Sequence, residues 1–261
     1  TFCPLCNAAI VFDRRVAGRK LDFGTTGLLR NSDLVMYDRQ TESWWQQFGG
    51  DAIAGELAGV RLRTYPASIV SFADFSEGFP HGLVLSRDTG FRRRYGSNPY
   101  PGYDRADQRP FLLGTRPDSR LPPMERVLGV RIDDTVRIYP FDRLADHPLV
   151  HDRVAGVDVL VVGVDRVRSA LDARNFADSR SVLSVIAFDR RIGGRALDFE
   201  LRGGLLKDRQ TGTTWNRYGE GLAGPLVGKR LRQLSGGVHF AFAWLAFEPG
   251  LSIWEPSSMG E

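Results

Sequence analysis

Cys3-Pro4-Leu5-Cys6 is the one obvious chemical signature in this chain of 261 residues. Two thiols at this spacing can form a redox-active disulfide, hold a soft metal (copper or zinc first), or supply one nucleophilic thiolate. No other cysteine is present, which excludes a four-cysteine zinc site. A thioredoxin-like site needs the pair at a helix N-terminus in a βαβ unit. Here the pair reads as following a buried strand and preceding a hairpin, so that chemistry is disfavoured. The plain alternative is a structural cysteine or an incidental local disulfide. Residues 29–38 (LRNSDLVMYD) add Asn31, Ser32 and Asp33 ahead of an apolar strand that carries Tyr37. The candidate reactive set is therefore Cys3, Asn31, Asp33 and Tyr37, with Cys3 and Cys6 as candidate metal ligands. For Asn31–Asp33 the plain alternative is a hairpin turn.

The remaining candidates are weaker. His147 and His151 stand four apart, but Pro148 breaks the helix that would align them. His81 and His239 are isolated. No Gly-rich phosphate loop, Gly-x-Ser-x-Gly elbow or His-Glu-x-x-His occurs.

The elements that must position these residues recur along the chain. Residues 11–23 (VFDRRVAGRKLDF) match residues 187–199 (AFDRRIGGRALDF) at nine of 13 positions. Residues 38–45 (DRQTESWW) match 208–215 (DRQTGTTW), and residues 54–62 (AGELAGVRL) match 223–231 (AGPLVGKRL), in the same order. The first block reads as a hairpin, the second as an Asp-initiated turn into a strand, the third as a tight loop. Asp38, Arg39 and Trp45 recur as Asp208, Arg209 and Trp215, so a structural role is the economical one: a turn carboxylate clamped by a guanidinium, beside a core indole. A six-residue gap in the second copy removes most of the Asn31–Asp33 cluster, and the second copy has no cysteine. Polar chemistry kept in one half is the internal argument for a site there. Trp44 also belongs to the first copy alone.

Each copy ends in an aromatic segment, 71–80 and 240–249. Phe72, Phe75 and Phe79 fall at helical spacing, whereas Phe240, Phe242 and Trp244 alternate and suggest a strand start. The second copy also has a strand–turn–strand at 127–139, a short helix at 141–146 and a buried strand at 157–164. These have no counterpart in the first copy, which reads as truncated at its N-terminus. The expected organisation is a first repeat (1–82), a Tyr/Arg/Pro-rich linker (83–124) and a second repeat (125–256). The fold class is mainly β with short helices (α+β), as two pseudo-symmetric β-rich lobes with the linker crossing their seam.

A net charge of +4, with arginines interleaved among acids, argues for local ion pairs and against nucleic acid. No stretch approaches the ~20 apolar residues of a membrane span.

The runs TFCPLCNAAIVFDR, LRNSDLVMYDRQTESWWQQ, PASIVSFADF, YPGYD and RLPPMERVLGV together resemble the DUF3179 family of bacterial and archaeal proteins. The resemblance covers essentially the whole chain. It implies export, into the periplasm or outside the cell or onto a lipid anchor, and an upstream segment with a Trp-His pair ahead of the Cys-Pro motif. It also implies that Cys3 is the more general feature, since the second cysteine is often another residue in the family. The function expected is an exported protein with a thiol-centred metal-binding or nucleophilic cleft around Cys3. The competing expectation is a non-catalytic module that holds a glycan, small molecule or protein partner on Trp44, Tyr95, Tyr100 and Tyr103.

Overall fold

The computed structural model describes residues 1–256. Short antiparallel strands dominate, as expected for a chain rich in Gly, Pro, Val and aromatics, and three short helices accompany them. No helix among the described residues is long and apolar enough to cross a membrane.

Four strands, Phe23–Arg30, Asp33–Asp38, Trp44–Gln46 and Ala52–Ala54, form one antiparallel meander. Phe199–Arg202, Leu205–Asp208, Thr214–Trp215 and Gly221–Ala223 form another with the same strand order. The Asp-initiated turn is built alike in both. Asp38 Oδ1 accepts the Thr41 N–H at 2.6 Å and Asp38 Oδ2 the Trp45 Nε1–H at 2.9 Å; Asp208 binds Thr211 and Trp215 at the same distances. Both indoles are fully buried. The expected guanidinium clamp is not what holds these carboxylates: Arg39 donates to the Tyr37 hydroxyl, and Arg209 pairs with Glu200. A neutral indole N–H suits this site better, because it fills the core while satisfying the buried acid. Arginine–carboxylate pairing appears one turn earlier, bidentate at Arg15–Asp13 and Arg191–Asp189.

Two further sheets complete the scaffold. In one, Arg126–Ile132 and Thr135–Pro140 lie between Ser235–Phe240 and Ser252–Ile253. In the other, Leu149–Val154, Val157–Arg168, Ser181–Asp189 and Arg232–Gln233 pair in that order. The helices are Phe72–Gly78, Phe141–Asp146 and Ala241–Phe247. The last corrects the expected strand start: the strand stops at Phe240, and Ala241 through Leu245 are all buried. A helix buried on every side is apolar on every side, so it carries no periodicity to read.

Helix Ala241–Phe247 sits close against its sheet because Gly129 has no side chain. A Cβ there would lie 2.0 Å from Cζ2 of Trp244. Gly129→Ala is therefore expected to lower stability by about 1–3 kcal/mol through forced displacement of the indole. Chemical denaturation with an unchanged m value checks this, and wild-type stability would refute the packing argument.

Between residues 79 and 125 there is no strand or helix. The segment is nonetheless anchored: Asn98 and Gly102 bond the 172–174 backbone, and Asp104 is buried against Arg126.

Candidate functional site: a buried dithiol–carboxylate centre

Cys3 lies on a two-residue strand, Phe2–Cys3, that pairs with Ala8–Ala9. The intervening turn is closed by the Asn7 N–H on the Pro4 carbonyl at 3.2 Å, with Asn7 at φ +52°. The Phe240 N–H donates to the Cys6 carbonyl at 2.9 Å, and Asn7 Nδ2 donates to the Val238 carbonyl at 3.1 Å. This small hairpin is thus sewn to the strand Ser235–Phe240. The pair lies within this hairpin, where the sequence placed it after a buried strand and ahead of a hairpin, and it is not at a helix N-terminus.

Asp33 comes from the other side. The hairpin Phe23–Arg30/Asp33–Asp38 is longer than its counterpart Phe199–Arg202/Leu205–Asp208. The six residues by which segment 23–38 exceeds segment 199–208 form that extension, and Asp33 stands on it. Asn31 and Ser32 are its two turn residues, both at positive φ (+50° and +67°), the geometry a two-residue primed turn requires.

Cys3, Cys6 and Asp33 each present a ligand atom, and these atoms lie within 4.8 Å of one another. All three residues are buried: Cys3 is 3% exposed, Cys6 and Asp33 not at all. Asp33 Oδ2 accepts the Gln46 side-chain amide at 2.5 Å and the Phe48 N–H at 2.9 Å. Asp33 Oδ1 has no hydrogen-bond donor among the described residues. The Cys6 thiol donates to the Ser32 carbonyl at 3.6 Å.

Burial shapes the acid–base chemistry of the cluster. It pushes the Asp33 carboxyl up to about 6, against the bonds from Gln46 and Phe48. Burial, then the neighbouring Cys3 and Asp33, push the Cys6 thiol well above its ordinary range. Cys3 moves the opposite way: its hydrogen bond with Cys6 outweighs burial, and the N–H groups of Cys6 and Leu34 add to that. Cys3 is therefore the thiol that ionises first.

The structure brings Cys3, Cys6 and Asp33 together and leaves two expected companions outside. Asn31 serves the turn. Tyr37 is four residues along the strand from Asp33, roughly 13 Å away at strand rise, and its hydroxyl is held by Arg39. The expected open cleft is a closed interior instead. Of the aromatic surface residues, Trp44, Tyr95 and Tyr100 are exposed. Tyr103 is half-buried, packs 6.2 Å from the Phe240 ring and lies within electrostatic reach of both thiols.

Gln46 and Phe48 are assigned no role from the sequence, while Tyr103 enters there only as a surface aromatic and His239 only as an isolated histidine. Gln46 had a usable signal, since Asn216 follows Trp215 where Gln46 follows Trp45. His239 is buried, stacks on Trp244 and meets Phe48 edge-on. Neither of its ring nitrogens has a partner among the described residues, and burial pushes it down to about 3. A histidine depressed from 6.5 in the folded state contributes stability that is complete above pH 6.5 and lost on acidification. The loss is expected to reach about 2–3 kcal/mol by pH 4.5 at about 1.4 kcal/mol per unit. His239→Phe should flatten that part of the pH–stability curve, and an unchanged slope would remove His239 as its source.

The fold and this centre define a β-rich protein with two thiols and one carboxylate buried at a hairpin junction. The chain belongs to the family described as "Protein of unknown function (DUF3179)", whose model matches residues 1–251. No curated protein and no solved structure matches it.

Proposed function

We propose that Cys3, Cys6 and Asp33 form a metal centre and that zinc is its ion. The observation that carries this reading is the convergence of two sulfurs and a carboxylate within 4.8 Å in a buried site, with Asp33 Oδ1 unbonded. Two thiolates and a carboxylate match the mixed donor set of zinc, whereas copper(I) favours sulfur alone. A bound dication would offset three anionic donors that burial otherwise disfavours. With Cys3 only 3% exposed, the site supports a ligand role for it over attack on a bulky substrate.

Titration of the reduced protein with cobalt(II), read by its thiolate charge-transfer absorption, tests the centre. One equivalent is expected to saturate the signal in wild type, and Cys3→Ser should lose most of it. Absorption unaffected by Cys3→Ser would overturn the assignment, and a preference for copper(I) over zinc in competition would reassign the ion.

The shared strand order and turn chemistry of the two meanders support a reading of residues 1–82 and 125–256 as diverged copies, joined by 83–124. In that reading the first copy holds the centre and the second supports it. Export is carried over from the family resemblance, and fractionation of native cells checks it. A second reading, a partner-binding surface, is favoured by the exposure of the apolar run Leu83–Val84–Leu85 and of Tyr95 and Tyr100.

A further inference from the structure

We infer that the same two thiols are a thiol–disulfide couple whose substrate is a small two-electron oxidant of the peroxide class. The release arm of this inference rests on the metal reading; the disulfide arm stands without it. The sulfurs of Cys3 and Cys6 lie within 4.8 Å, both as free thiols, and each is held in one tight turn. Closing that gap to the ~2.05 Å of a disulfide needs side-chain rotation of less than ~3 Å, without moving the hairpin from strand Ser235–Phe240. With only two cysteines in the chain, no other intramolecular disulfide can form.

The chemistry balances in two steps. The Cys3 sulfur attacks one peroxide oxygen, the O–O bond breaks, and Cys3 becomes a sulfenic acid as water leaves. The Cys6 sulfur then attacks the Cys3 sulfur. The S–S bond forms, the S–O bond breaks, and the departing hydroxide takes the Cys6 proton as a second water. Two thiols are oxidised by two electrons, and one hydrogen peroxide is reduced to two waters. Cys3 acts first because it retains slight exposure and Cys6 has none. The product has lost both sulfur donors, and Asp33 alone cannot retain a zinc ion against solvent. Oxidation therefore ejects the metal, and thiol reductants restore the site.

The test uses the full chain, both zinc-loaded and metal-free, treated with hydrogen peroxide and read by mass spectrometry of the tryptic peptide 1–14, which carries both cysteines. A loss of two hydrogen masses, reversed by dithiothreitol, is expected, with one zinc released per disulfide as read by a chromogenic chelator. Cys6→Ser should stop at the sulfenic acid, trapped by dimedone, and Cys3→Ser should give no such adduct. Unreacted thiols, over-oxidised sulfur without the disulfide, or intermolecular dimers would overturn the inference. A disulfide formed by a protein that binds no zinc when reduced would leave the couple standing and refute the metal reading.

Discussion

Asp33→Asn is expected to stabilise the metal-free protein at pH 7 while abolishing its stabilisation by zinc. The carboxylate is fully buried and its pKa rises from 3.8 to about 6. At pH 7 it is nonetheless charged, so the fold carries a cost of about 3 kcal/mol, at about 1.4 kcal/mol per unit. A raised folded-state pKa means that the folded protein binds the proton more readily. The Asp33 contribution to metal-free wild type should therefore become more favourable as pH falls from 7 towards 4, opposing the His239 loss over the same range, and Asp33→Asn should remove it. Asparagine keeps an oxygen for the Gln46 amide and the Phe48 N–H, which donate to Oδ2 at 2.5 and 2.9 Å. It removes the charge, and about 2–3 kcal/mol of the cost with it. In wild type, zinc at a thousandfold excess over its dissociation constant adds about 4 kcal/mol. The variant should gain little, because a neutral amide does not replace the carboxylate ligand. Thermal melts with and without zinc measure both arms. A variant less stable than wild type without metal would show that the charge is satisfied in a way the geometry does not reveal.

Asp104→Ala should cost about 3–5 kcal/mol, the usual penalty for leaving a buried charge without its partner. Asp104 is fully buried and Arg126 nearly so, with Nη2 of Arg126 2.6 Å from Oδ2. Arg180 and the Ser169 hydroxyl complete the cluster. Removing the carboxylate strands Arg126 beside the Phe240 ring, where Nη2 keeps its hydrogen bond to the Ser169 hydroxyl. Asp104→Leu combined with Arg126→Met should recover most of the loss, since apolar groups of similar size often replace a buried ion pair without penalty. The neighbouring Tyr103 gives a functional readout. It packs against the core that contains both cysteines, from an irregular segment that Asp104 anchors, so Asp104→Ala should also speed labelling of Cys3 by a thiol reagent. Unchanged stability would mean that the ion cluster contributes nothing net, and unchanged labelling would separate the clamp from the site.

The legible parts of the fold were those in which local pattern and tertiary role agree. The Asp-Arg-Arg hairpins, the Asp38 and Asp208 turns and the helix Phe72–Gly78 follow from glycine, Asx and periodicity signals that act over a few residues. The helix Ala241–Phe247 did not, because a fully buried helix and a buried strand are both runs of apolar residues. The partner of Asp38 is hidden for a related reason: adjacency in sequence points to Arg39, while the fold supplies Trp45 from the next strand.

The candidate site divides in the same way. Cys3 and Cys6 announce themselves by type and spacing, and Asp33 by falling in the six residues that segment 199–208 lacks relative to 23–38. Asn31 shared that signal for a different reason, since a longer hairpin needs a turn residue tolerant of positive φ as well as its passenger carboxylate. Tyr37 was grouped by sequence distance, which strand geometry converts into separation along the sheet. Phe48 and Tyr103 reach the centre from a following turn and the linker, and His239 packs on Phe48 from the far end of the chain. Nothing local in their sequence neighbourhoods marks that convergence.

The central claim is that two sulfurs and one carboxylate share a metal ion. X-ray absorption at the zinc edge of protein loaded with one equivalent measures this directly. Two sulfur scatterers at about 2.3 Å and light oxygen or nitrogen atoms at about 2.0–2.2 Å are expected, in tetrahedral geometry. A zinc shell of light atoms alone, or a reduced protein that retains no zinc, would contradict the account.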